Sequence, residues 1–92
     1  MKRSEPVVKT RQFRYTPGAR CIYEVVDRIL TEDEVTAQIE LGQTCVAIRG
    51  GYVMNVFGLS QPPNFPGHWM GYETAWYLVI RRLTAWDDYE AC

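Results

Sequence analysis

The sequence predicts an α+β domain: a small, mainly antiparallel sheet built on a 44–57 hairpin, with one or two short helices, about 17–30 and 32–41, packed on one face. Three observations carry that expectation. Gly50-Gly51 joins two β-prone runs, Thr31 to Gly42 holds the start and stop signals of a helix, and 17–30 repeats its apolar residues at helical spacing.

The hairpin is the best-signalled element. Thr44-Cys45-Val46-Ala47-Ile48-Arg49 and Tyr52-Val53-Met54-Asn55-Val56-Phe57 flank the diglycine. A two-residue primed turn needs positive φ, which glycine adopts without steric cost. Such a loop sets Arg49 against Tyr52, Ile48 against Val53, Ala47 against Met54 and Val46 against Asn55. Thr44, Val46, Ile48, Val53, Asn55 and Phe57 then share one face. Cys45, Ala47, Arg49, Tyr52, Met54 and Val56 share the other. Both faces are mostly apolar, so each needs a cover.

Thr16-Pro17 suits a helix start, a hydroxyl cap followed by proline where a missing N–H costs nothing. Ile22, Val25, Val26, Ile29 and Leu30 then fall on one face at a 3.6-residue period, which favours a helix over a strand from Cys21 to Val26. The second helix opens on Thr31 with Glu34, a capping box, and carries Glu32 and Asp33 at the positive end of its dipole. Gly42 suits its exit, with Val35, Ile39 and Leu41 facing inward.

The remaining segments are a strand, a loop and an ambiguous run. Val7 to Tyr15 alternates as a strand, and its basic groups mark an edge. Gly58 to Gly71 holds three prolines and three glycines in fourteen residues and reads as a long loop. Glu73 to Leu83 fits either a strand or a helical stripe; its β-branched and aromatic content favours the strand, lying beside the hairpin. Residues 7–86 form a single domain, with a basic arm at 1–6 and an acidic tail at 87–92.

Composition excludes several classes. A 47% apolar fraction in 92 residues supports one core and no wholesale disorder. No run is long enough to span a bilayer and no signal peptide opens the chain, so a cytoplasmic setting is expected. Cys21, Cys45 and Cys92 are odd in number and scattered, which argues for reduced thiols. With His68 the sole histidine and no C-x-x-C pair, no metal site and no cofactor are expected. Neither a Walker-type loop nor G-x-G-x-x-G occurs, and no nucleophile–base pair stands out, so no enzyme is expected.

Charge is segregated although the net is −1: residues 1–20 are basic apart from Glu5, and 21–42 are acidic apart from Arg28. Two binding readings follow. Aromatic and arginine side chains dominate interface energetics, and Phe65, His68, Trp69 and Tyr72 lie close in sequence to Arg81 and Arg82. That set suits a protein interface, with a lid over the hairpin as the structural alternative for Phe65 and Trp69. The second reading is nucleic-acid contact, by a small regulator or binding module. Lys9, Arg11 and Arg14, interleaved with Phe13 and Tyr15, offer charge and stacking along one strand. A helix-turn-helix over Thr31 to Arg49 fits poorly, because Gly50-Gly51 interrupts its second helix.

The expected function is therefore non-enzymatic binding that occludes a surface of a larger cytosolic protein or nucleoprotein complex. Compact, motif-free single domains with a short basic arm are common among phage-encoded inhibitors of host machines, anti-CRISPR proteins included. In that class the setting would be the host cytoplasm.

Overall fold

A computed structural model describes residues 8–63 and 73–84. In chain order it runs β1 (Thr10–Arg14), β2 (Cys21–Val26), α1 (Glu32–Glu40), β3 (Cys45–Arg49), β4 (Tyr52–Phe57) and β5 (Ala75–Thr84). The strands close into a barrel in the order β1-β2-β5-β3-β4. The fold is thus mostly sheet (51%) with a single short helix among the described residues, which corrects the expected open sheet with helices on one face.

β5 is what turns two hairpins into a barrel. Its first half pairs antiparallel with β3, Ala75 to Leu78 lying opposite Ile48 to Cys45. Its second half pairs antiparallel with β2, from Val79 opposite Val25 to Thr84 opposite Cys21. The β1-β2 and β3-β4 hairpins are therefore joined through one ten-residue strand. A parallel rung between Arg14 and Tyr52 completes the circuit.

The helix expected at about 17–30 is instead a turn followed by β2. Thr16-Pro17-Gly18-Ala19 forms a reverse turn, Ala19 N–H donating to the Thr16 carbonyl at 3.0 Å with Gly18 at φ 84°. Proline second and a positive-φ glycine third are the requirements of a type II turn, which outweigh the same residues' value as a helix start. The helical period misled because Cys21, Ile22, Tyr23 and Val25 are all buried on a strand covered on both sides. Ile29, assigned to the inward stripe, is 60% exposed.

The 44–57 hairpin forms, with Gly50 at φ 63° and Gly51 at φ 86°. Arg49 faces Tyr52 and Ile48 faces Val53 as the two-residue loop requires. Beyond that the register slips: Ala47 pairs with Asn55 and Val46 with Val56, leaving Met54 as the extra residue of a bulge. Val56 consequently joins Val46, and Phe57 moves to the face of Cys45, reversing the expected sides.

α1 forms where expected, but Leu41, expected to face inward, is its C-cap and is 73% exposed. Thr31 Oγ1 accepts from Glu34 N–H at 3.1 Å, and Glu34 Oε1 accepts from Thr31 N–H at 2.9 Å. At the other end Gly42 N–H donates to Ile39 O and Gln43 N–H to Gln38 O, a Schellman closure.

Both sides of the sheet are covered, by different means. Phe13, Tyr23, Val25, Val46, Ile48, Val53 and Tyr77 fill the barrel interior. On the outer side Val35 and Ile39 of α1 press on Cys45, Ala47, Phe57 and Trp76. Phe57 and Trp76 stack at 5.3 Å between ring centroids. Leu30 ties this layer in, its N–H donating to the Trp76 carbonyl at 2.8 Å.

Candidate binding groove

Strand lengths alone create a gap in the barrel wall. β3 has five residues and β5 has ten, so β3 runs out first. Their pairing stops at Cys45 opposite Leu78, with one more bond from Val79 N–H to the Thr44 carbonyl at 2.9 Å. From Ile80 onward β5 pairs, among the described residues, only with β2. The space left between this flank of β5, the 42–44 turn and Val56 is a groove of about 440 Å³, floored by Tyr23 and Val79.

Two arginines stand on the groove, in different states. The register against β2 shifts between Val25 opposite Val79 and Glu24 opposite Arg81, which leaves Ile80 as an extra, 46% exposed residue. Arg81 Nε donates to Glu24 Oε1 at 2.6 Å, and this bond is the main reason the Glu24 carboxyl sits below its ordinary value of 4.5. Arg82 is exposed and forms no hydrogen bond or ion pair among the described residues. It faces Tyr15 and Tyr23, whose rings meet edge to face at 5.8 Å. Burial, then the hydrogen bond to Tyr23, pushes the Tyr15 hydroxyl up from its ordinary 10.0, and the Arg82 charge pulls the other way.

The basic strand does not present one strip. Arg11 stands opposite the fully buried Val25 and turns toward the barrel interior. Its guanidinium lies 4.8 Å from the centroid of Phe13 and 5.8 Å from that of Tyr77, and it donates to Tyr77 Oη at 3.2 Å. Asp27 approaches it at 3.9 Å. Arg14 takes the opposite side of the strand and donates to the Ala19 carbonyl. Lys9 is exposed just before β1. Phe13 is 7% exposed, so its ring is spent in the core and offers no platform for a base.

Of the residues expected to bind, Arg81 and Arg82 are brought together at the groove. Phe65, His68, Trp69 and Tyr72 lie outside the described residues, as do the arm at 1–6 and the tail at 87–92. Tyr15 was expected only as a stacking residue of the basic strand, and Tyr23, Thr44, Val56 and Ile80 were not foreseen. The signal was the unequal length of the last strand and its partner.

No cluster of His, Cys, Asp and Glu among the described residues is placed to hold a metal ion. Cys45 is a free thiol, fully buried, and burial pushes its pKa up to about 11. No helix among the described residues is long and apolar enough to cross a membrane.

Comparison with family models, with curated proteins and with solved structures finds no match.

Proposed function

We propose that this chain is a non-enzymatic binding domain that holds a protein partner at the groove beside β5, and so occludes a surface of a larger assembly. The observation that carries the reading is Arg82. A guanidinium with no partner among the described residues stands beside the Tyr15–Tyr23 pair, on a groove with an apolar floor and an exposed isoleucine at its lip. Arginine and tyrosine side chains in well-packed, concave sites are among those that give protein interfaces most of their energy. The groove's volume is within the range of specific sites. The free charge selects an acidic partner, since a carboxylate would complete what Glu24 supplies for Arg81.

Nucleic acid is the weaker reading, because the basic residues of β1 are divided between two faces and Phe13 is buried. The test is affinity capture from the cytosol of the native host, with wild type, Arg82→Glu and the double variant Lys9→Glu, Arg11→Glu run in parallel. Capture of a defined complex that Arg82→Glu abolishes and the double variant retains supports the proposal. Capture indifferent to Arg82 overturns it, as does binding to free oligonucleotide that weakens steeply with salt.

A further inference from the structure

The groove has one property that a mere pocket lacks: one of its walls is a strand edge that no described residue pairs with. β5 from Ile80 to Thr84 gives one flank to β2 and, among the described residues, nothing to the other. Half the backbone N–H and C=O groups of a strand point to each flank, so this stretch presents donors and acceptors where β3 would have continued. We propose that this flank accepts an extended, acidic segment of a partner protein as an added strand, seated in line with β3 and with a carboxylate on Arg82. The proposal rests on the binding reading above and specifies its geometry.

Three observations select this occupant. The first is space: an added strand needs one further interstrand spacing of about 4.8 Å beside β5, and the groove lies along that side from Val79 to Arg82. The second is charge. Arg81 already has Glu24, whereas Arg82 has no anion among the described residues, so an incoming carboxylate is matched rather than repelled. A second copy offering its own β1 or β5 would set Arg11, Arg14, Arg81 and Arg82 against the same side chains. The third is backbone chemistry. Strand addition draws its affinity from main-chain hydrogen bonds and its selectivity from alternate side chains in pockets. A nucleic acid would match the charge of Arg82 but has no peptide groups for the edge. Val56 and Val79 on the groove floor call for an apolar residue near the acidic one.

The probe is a blocked heptapeptide of alternating valine and glutamate, titrated into the isotope-labelled full chain and followed by backbone amide shifts. The expected result is saturable binding with Kd below about 1 mM, the affinity of a weak but specific contact. Shifts should concentrate at residues 42–44 and 79–84. The same peptide N-methylated on alternate amides should bind at least about tenfold more weakly, because each lost main-chain bond removes a partner for the edge. Arg82→Glu should weaken the unmodified peptide by a similar factor, with an unchanged far-ultraviolet spectrum showing that the barrel is intact. Arg82→Gln should fall between the two. Absence of binding at 1 mM, shifts centred elsewhere, or equal affinity for the N-methylated peptide overturns strand addition. Stronger binding of a single-stranded oligonucleotide at the same residues also overturns it. If strand addition fails while capture of the partner still depends on Arg82, the binding reading stands and only this geometry is lost.

Discussion

Arg81 and Glu24 face each other across the β5–β2 pairing, Nε to Oε1 at 2.6 Å, while Arg82, one residue along, has no such acceptor among the described residues. Neighbours in sequence thus have separate employments. The first joins two strands, and the second makes no such link among the described residues.

The first prediction concerns acid. The bond from Arg81 holds Glu24 below its ordinary value of 4.5, and the Thr31 backbone, with Arg28, does the same for Glu34. A carboxyl whose folded-state pKa is depressed contributes stability above the unfolded value, and loses it as pH falls through the folded value. Stability should therefore decline as pH drops below about 4.5. Glu24→Gln should flatten that decline by lowering stability near neutrality while leaving it nearly unchanged in acid, where the wild-type carboxyl is itself protonated, as chemical denaturation at a series of pH values would show.

The second concerns the helix start. Thr31→Ala removes the acceptor for Glu34 N–H and leaves the box half made. The expected loss is about 1 kcal/mol, typical of a cap removed. Thr31→Ser should restore most of it in urea unfolding.

The third tests the layer under α1. Trp76 packs on Phe57 and is 7% exposed, so Trp76→Ala should cost about 3–5 kcal/mol, a large share of the stability of a domain this size. Cys45 lies in the same layer with its thiol pKa raised to about 11. In the wild type this thiol should resist alkylation at neutral pH until the chain unfolds. In Trp76→Ala its labelling should accelerate in step with the lost stability.

The fourth concerns the diglycine turn. A Cβ added at Gly50 or Gly51 meets nothing within 4 Å, so any cost there is conformational rather than steric crowding. With φ at 63° and 86°, Gly51→Val should lose about 1–2 kcal/mol and Gly51→Asn clearly less, since asparagine tolerates the left-handed region. Equal losses would place the cost elsewhere.

These elements differ in how far the sequence announces them. The diglycine turn and the capping box are legible because each depends on a few adjacent residues with one conformational solution. The 73–83 strand is legible by content, its partners are not. Thr16-Pro17-Gly18 satisfies two local rules at once, and the turn prevailed because Cys21 to Val26 gains more as a strand between β1 and β5 than as a lone helix. The bulge at Met54 is invisible from the loop length that fixes the rest of the register; it follows from which side chains the interior and α1 each have room for. Barrel closure itself is a property of one long strand shared by two partners, which no local pattern reports. Arg81 and Arg82 are recognisable as binding candidates by type, but only pairing across the sheet separates the engaged guanidinium from the unengaged one.

Arg14 against Tyr52 is the one rung joining the first strand to the fourth among the described residues. A circuit fastened at a corner in this way behaves as a clasp on an otherwise continuous band. Releasing it breaks far fewer bonds than parting β2 from β5, so the mildest opening of the molecule starts there and wets Phe13 and Tyr77 before either hairpin comes apart.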